Sequence, residues 1–83
     1  MAKARDYHRY ELKRGKKVVY RGITNDPERR EAEHRQEGKN FTHMHIIGPA
    51  VTKETAQKWE EQSLQSYRRS HGGRLPEYNE AGR

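Results

Sequence analysis

The chain has 83 residues, of which 36% are charged and 29% hydrophobic, so we expect a single domain over residues 1–83 with a thin apolar core. It contains no cysteine, which excludes disulfides and cysteine-bound zinc, and no apolar run approaches the ~18 residues of a membrane span. The net charge of +6 favours a polyanionic partner, with nucleic acid as the leading candidate; the alternative is a charged surface that serves solubility alone.

The composition also bears on location and assembly. The N-terminal residues lack the apolar segment of a signal peptide, so we expect a cytoplasmic protein. Since no segment could span a bilayer, we expect no membrane partner. A core this small would gain from homodimerisation, and both a monomer and a homodimer are compatible with the sequence.

The first predicted element is a β-hairpin. Strands are predicted over residues 7–12 and 17–22, where β-branched and aromatic residues are frequent. Between them, Gly15 suits the left-handed position of a tight turn.

A helix is predicted over residues 27–36, directly after the hairpin. Asp26 suits its N-cap and Pro27 its first position. Arg30 and His34 are four residues apart, so they share one face of this helix. A guanidinium beside an imidazole suits a phosphate and a nearby proton transfer; the alternative is a solvated basic helix face.

A third strand is predicted over residues 41–47, ended by Gly48-Pro49. His43 and His45 would share one face of it with Phe41 and Ile47. A histidine-bound metal needs a third ligand and a fixed geometry, so polar strand positions are the favoured interpretation of these histidines and of His8.

A second helix is predicted over residues 53–69 with Thr52 as its N-cap, and Gly72-Gly73 ends it. Helical spacing places six residues on one stripe: Ala56, Trp59, Glu60, Ser63, Leu64 and Tyr67. Glu60 is therefore either a metal-bound carboxylate in a cleft or a helix-edge residue that reaches water or an arginine; a single carboxylate suits Mg²⁺. Residues 74–79 are predicted to be irregular, with Leu75 and Tyr78 docked on the core.

Two tyrosines, Tyr10 and Tyr20, fall near the same level of the predicted hairpin. They are either packed strand residues or groups for proton transfer. A tyrosine acts as a base only when its phenolate is stabilised, because its reference pKa is about 10. A neighbouring arginine, lysine or metal ion would favour the charged form.

The two tyrosines belong to the tripeptides His8-Arg9-Tyr10 and Tyr20-Arg21-Gly22. These tripeptides resemble the paired strand motifs of the GIY-YIG nuclease superfamily. The tyrosines and the second glycine match, while the first glycine and both central aliphatic residues are replaced. Ile23 stands where many members carry a lysine or similar polar residue, so a helping cation is expected from elsewhere, with Arg21 as a candidate.

The resemblance continues to the end of the chain and spans about residues 7 to 79. The family's helix arginine maps to Arg30, and its histidine or tyrosine one turn later maps to His34. Ala56 and Glu60 fit the alanine and the metal-binding glutamate of the family's second helix. Tyr78-Asn79 fits its aromatic residue and asparagine near the C-terminus.

The resemblance implies an α/β (α+β) fold, in which a small three-stranded antiparallel sheet is flanked by helices. It implies a metal-dependent endonuclease that hydrolyses phosphodiester bonds of nucleic acid, with DNA expected rather than RNA. One divalent metal ion, Mg²⁺ or Mn²⁺, would be held by Glu60. Arg30, with Arg21 and Arg29, would contact the nucleic acid.

The same resemblance assigns the remaining catalytic roles. Tyr10 or Tyr20 would deprotonate the attacking water, with His34 relaying the proton. Arg30 would bind the scissile phosphate, and Asn79 would position a catalytic group.

Two other functions stay open at the level of sequence. One is a catalytically inactive nucleic-acid-binding module of the same fold. The other is a basic structural or interaction protein, in which the motif match is a coincidence. For a nuclease, the sequence is compatible with a free-standing enzyme, a domain of a longer protein or a toxin-like effector.

Overall fold

A computed structural model describes the backbone of residues 4–81 and the side chains of residues 4–79. Its elements, in chain order, are β1 (Tyr7–Arg14), β2 (Lys17–Thr24), α1 (Pro27–Gln36), β3 (His43–Val51), α2 (Lys53–Ser70) and α3 (Glu77–Ala81). The three strands form one antiparallel sheet in the order β2-β1-β3, which confirms the predicted fold class.

The hairpin is the part of the sheet that local chemistry determines. Gly15 has a φ of 64° in the turn, as the prediction requires, and each strand runs two residues further than predicted. Tyr10 and Gly22 are directly opposite each other, and so are Leu12 and Tyr20. These residues therefore point to the same face of the sheet.

The prediction for the third strand is wrong at both ends. Phe41 precedes β3 and is buried in the core, so it does not alternate with His43 and His45, which are exposed. The strand continues through Gly48-Pro49, because a bulge there shifts its register against β1. Gly48 has a φ of 63° in this bulge, and β3 is an edge strand, where proline is tolerated.

The apolar core lies on one face of the central strand. Tyr10, Leu12, Val19 and Phe41 are buried there, and Tyr20, Met44 and Tyr78 pack against them. Because side chains alternate along a strand, the neighbouring residues Glu11 and Arg21 point to the opposite face. Arg21 there contacts α2, so the sheet separates the tyrosine core from that helix.

Both long helices begin where their caps predict. Asp26 accepts a hydrogen bond from the Arg29 backbone at the start of α1, and Thr52 accepts one from the Thr55 backbone at the start of α2. The predicted stripe of α2 is confirmed, since its six positions are the buried and half-buried ones of the helix. The buried residue of α1 is His34, while its aliphatic Ala32 is exposed.

The C-terminal segment differs from its predicted irregular form. Residues 77–81 form the short helix α3, and Tyr78 docks on the core as expected. The Asn79 side chain bonds the Arg21 backbone through both of its polar atoms, so it covers the outer edge of β2. Within the described residues, no helix is long and apolar enough to cross a membrane.

Candidate active site: a tyrosine–histidine–arginine cluster

The centre of the candidate site is a buried hydrogen bond between β1 and α1. The Tyr10 hydroxyl lies 2.8 Å from Nε2 of His34, and both side chains are fully buried. The strand presents Tyr10 to the core face, and helical geometry places His34 one turn beyond Arg30. Two residues 24 positions apart are thereby joined, which the sequence spacing alone does not indicate.

The neighbours of this pair determine where its hydrogen lies. Arg30, which has only donors, is close enough to Tyr10 to favour the charged form of its hydroxyl. On the other side of the ring, Nδ1 of His34 has no hydrogen-bond partner among the described residues, but it lies 3.5 Å from Oε1 of Glu37, whose negative charge favours a proton on Nδ1. In that tautomer the Tyr10 hydroxyl donates to an unprotonated Nε2.

Tyr20 completes the cluster from β2. Its ring centroid lies 5.9 Å from that of Tyr10 and 4.8 Å from that of His34. Unlike Tyr10, the Tyr20 side chain is only partly buried, and it is the tyrosine that solvent can reach. A Cβ at Gly22 would come within 2.7 Å of the Tyr20 ring and 2.8 Å of the Tyr10 hydroxyl. The glycine of this tripeptide is therefore required by the close approach of both rings.

The electrostatic environment keeps Tyr10 and His34 neutral. Burial raises the pKa of Tyr10, with a further contribution from Tyr20, and Arg30 only partly opposes this. Burial, followed by the charges of Arg30 and Lys39, lowers the pKa of His34 to about 4. The pKa of Arg30 is raised: burial acts to lower it, but Glu33 and the two tyrosines outweigh that effect. One permanent cation thus lies beside two neutral proton-exchanging groups.

The low pKa of His34 makes folding sensitive to mild acid. An unfolded histidine has a pKa near 6.5, so between pH 6.5 and 4 the unfolded chain binds a proton that the folded chain does not. The stability due to His34 is complete above pH 6.5 and declines as the pH falls toward 4. From the value of about 4, the free energy of unfolding should drop by about 2 kcal/mol between pH 7.5 and pH 5.

Urea denaturation at the two pH values measures this decline, and the His34→Gln protein should lose most of it. Proton NMR of the imidazole provides a second measurement, in which the His34 ring signals should titrate near pH 4. A ring that titrates near its ordinary value of about 6.5 would contradict the described burial of His34.

Glu60 lies on α2, outside this cluster. Among the described residues, no hydrogen bond, ion pair or ring contact joins its carboxylate to Tyr10, Tyr20, Arg30 or His34. Burial raises the pKa of Glu60, and no described cation compensates it. The side chain is half-buried, so it is a carboxylate whose charge lacks a partner.

The donor set at Glu60 is small. No group of three histidine or acidic side chains converges anywhere in the described part of the chain, and this includes His8, His43 and His45. A lone half-buried carboxylate fits Mg²⁺ or Mn²⁺, since such an ion commonly takes one or two carboxylates and keeps its waters.

Arg21 and Asn79 are engaged within the protein. The Arg21 guanidinium bonds Oε2 of Glu11 at 2.9 Å and the carbonyl of Ser63 at 2.8 Å, and it lies over the Tyr67 ring. These contacts hold α2 on the sheet. They also engage the Arg21 guanidinium, which was expected to supply a positive charge at the active site. Asn79 holds the Arg21 backbone at 2.8 and 3.0 Å, which fixes the strand that carries Tyr20.

The other site arginines remain near solvent. Arg29 is 67% exposed and lies 3.9 Å from Glu33, while Arg30 bonds the same glutamate at 3.0 Å and is 32% exposed. These two cations of α1 can therefore reach an external anion, and Arg30 does so beside the tyrosines.

Two residues at the site were missed by the sequence analysis. Lys39 lies over the Tyr20 ring, with Nζ 5.7 Å from the centroid, and Glu37 faces Nδ1 of His34. The signal for Glu37 was its spacing, three residues after His34, at the C-cap of α1. Lys39 is in the loop after α1, where no periodic pattern indicates which way a side chain points.

Comparison of the chain with models of protein families, with curated proteins and with solved structures finds no match in any of the three.

Proposed function

We propose that the protein is a metal-dependent endonuclease that hydrolyses phosphodiester bonds of nucleic acid, DNA in preference to RNA. The observation that supports this most is the cluster of Tyr10, Tyr20, Arg30 and His34, drawn from three elements around one buried hydrogen bond. A permanent cation beside hydroxyl and imidazole groups suits an anionic substrate and a proton transfer.

In the proposed reaction, Tyr20 faces the attacking water because it is the partly exposed tyrosine. Its own proton passes to the Tyr10 oxygen, and the Tyr10 hydrogen passes to Nε2 of neutral His34. The Tyr20 phenolate then takes a proton from the water as the water oxygen bonds to phosphorus, the bond from phosphorus to the leaving oxygen breaks, and that oxygen takes a proton from solvent. Arg30 stabilises the phenolate charge and binds the scissile phosphate through its remaining donors. Burial raises the pKa of Tyr10 and lowers that of His34, so both shifts oppose this transfer, and Arg30 is the group that favours the phenolate.

Glu60 is the residue that would hold the divalent ion. When bound, such an ion would supply positive charge to the phosphate oxygens and the leaving group. Because α2 lies on the sheet face opposite the tyrosine core, this role requires the nucleic acid to contact both faces at an edge of the sheet. Burial without a described partner destabilises the charged form of this carboxylate, and a bound cation would offset that cost.

A second candidate is a nucleic-acid-binding module of the same fold that does not cleave. The complete burial of Tyr10 and the lack of contact between Glu60 and the cluster favour this alternative. It predicts salt-dependent binding and no metal-dependent turnover.

A cleavage screen distinguishes the two candidates. Purified protein is incubated with Mg²⁺ or Mn²⁺ and with duplex, branched and single-stranded forms of DNA and RNA. We expect cleavage of at least one DNA form that chelation of the metal abolishes and that Glu60→Gln protein does not perform. Binding without cleavage of any form would favour the non-catalytic module.

A further inference from the structure

A second basic surface lies where the hairpin turn meets the end of α2. We define the basic cleft by Lys16, Lys17, Tyr67, His71 and Arg74, which line adjoining hollows at this place. The larger hollow has a volume of about 480 Å³, within the range of small-ligand sites. None of these residues belongs to the tyrosine–histidine–arginine cluster.

The charge of the basic cleft is available to an external anion. Lys16 and Arg74 are exposed, and neither has an ion-pair partner among the described residues. Glu77 also lines the cleft, but its carboxylate is paired with Arg14 at 3.2 Å and with Lys17 at 3.9 Å. Lys17 remains 61% exposed despite this contact. The cleft therefore keeps a net positive charge.

An aromatic platform adjoins these cations. The rings of Tyr67 and His71 are parallel within 3°, and their centroids are 3.7 Å apart. Nδ1 of His71 lies 2.9 Å from the Tyr67 carbonyl oxygen, and its N–H donates to that oxygen, which fixes the ring orientation. Tyr67 is half-buried and lies under the Arg21 guanidinium, while His71 is exposed. A flat ring held rigidly at the surface can stack a nucleobase at little entropic cost.

We propose that the basic cleft binds a single-stranded segment of nucleic acid, with phosphates on Lys16 and Arg74 and an unpaired base stacked on His71. The inference rests on the proposed function for the kind of ligand. Lys17 is three residues from Tyr20 along β2, or about 10 Å at strand spacing. The aromatic platform lies on the α2 face of the sheet and Tyr20 on the opposite face, so the cleft is an additional contact for the strand outside the site of cleavage.

The test is fluorescence anisotropy with a short labelled DNA strand and the corresponding duplex, in chelator and without divalent metal. His71→Ala should weaken single-strand binding by about tenfold and duplex binding little, because duplex bases already stack on each other. His71→Phe should bind the single strand like the unaltered protein. Lys16→Gln and Arg74→Gln should each weaken binding by about threefold and reduce the salt slope by about one.

Lys58→Gln is the matched control, since Lys58 is exposed on the same helix and does not line the cleft. Single-strand binding by His71→Ala that equals the unaltered protein would overturn the proposal, and so would a Lys58→Gln effect as large as that of Arg74→Gln. Because no metal is present, the result is independent of cleavage. A protein that binds in this pattern but never cleaves would contradict the proposed nuclease alone, whereas a nuclease insensitive to these changes would contradict the basic cleft alone.

Discussion

Glu60→Gln is expected to lower the cleavage rate by about a thousandfold while leaving the protein as stable as before or more stable. The substitution removes the negative charge that would hold the metal ion and keeps the size of the side chain. Burial raises the pKa of Glu60, so its charged form weakens the fold at neutral pH, and a neutral amide relieves that cost. Opposite changes in activity and stability are typical of a residue kept for function.

The matched control is Glu61→Gln, at the next position of α2, where the side chain is exposed. It should change neither the cleavage rate nor the urea midpoint. A Glu60→Gln protein that cleaves normally but unfolds more easily would show that this carboxylate has a structural role only.

Arg30→Lys is expected to lower the cleavage rate by about a hundredfold, although the positive charge is kept. The Arg30 guanidinium bonds Glu33 at 3.0 Å and also lies beside Tyr10, so its planar set of donors serves several acceptors at once. An ammonium group is smaller and cannot keep that geometry while it also binds a phosphate. The loss should fall on the maximal rate more than on nucleic-acid binding, since the charge that attracts the strand remains.

Arg35→Lys is the comparison for this change, because Arg35 is on the same helix and pairs with Glu31 at 3.1 Å. Arg35 also lies over the Phe41 ring at 4.2 Å, so the exchange should lower the urea midpoint slightly, but the cleavage rate should stay within about twofold of the unaltered protein. Equal rates for the two lysine variants would exclude Arg30 from the reaction.

The parts of the fold that sequence predicts well are those determined by neighbouring residues. Asp26 and Pro27 start α1 at the predicted position, and Gly15 forms the hairpin turn. The stripe of α2 follows from helical spacing. In each case the chemistry that decides the structure lies within a few residues.

The wrong predictions depend on distant parts of the chain. Gly48-Pro49 is a typical strand end in sequence, but pairing with β1 carries β3 through it in a bulge. The helix α3 forms where Asn79 bonds the edge of β2, 58 residues away in sequence. Neither partner can be identified from local pattern.

The candidate site also has a part that local sequence predicts and a part that depends on distant residues. The spacing of Arg30 and His34 predicts a shared helix face, but only the folded chain brings Tyr10 to within 2.8 Å of the imidazole. Arg21 was expected at the site but bonds Glu11 and Ser63 instead, and nothing in its tripeptide indicates these two partners.

The most direct test of the central claim is the cleavage rate of the double variant Arg30→Lys, Glu60→Gln, compared with both single variants and the unaltered protein. If the cluster and the metal-binding carboxylate act as one site, removing either part disables it, and the double variant should be no slower than the slower single variant. Losses that multiply in the double variant, or an unaltered protein that cleaves no nucleic acid with Mg²⁺ or Mn²⁺, would contradict it.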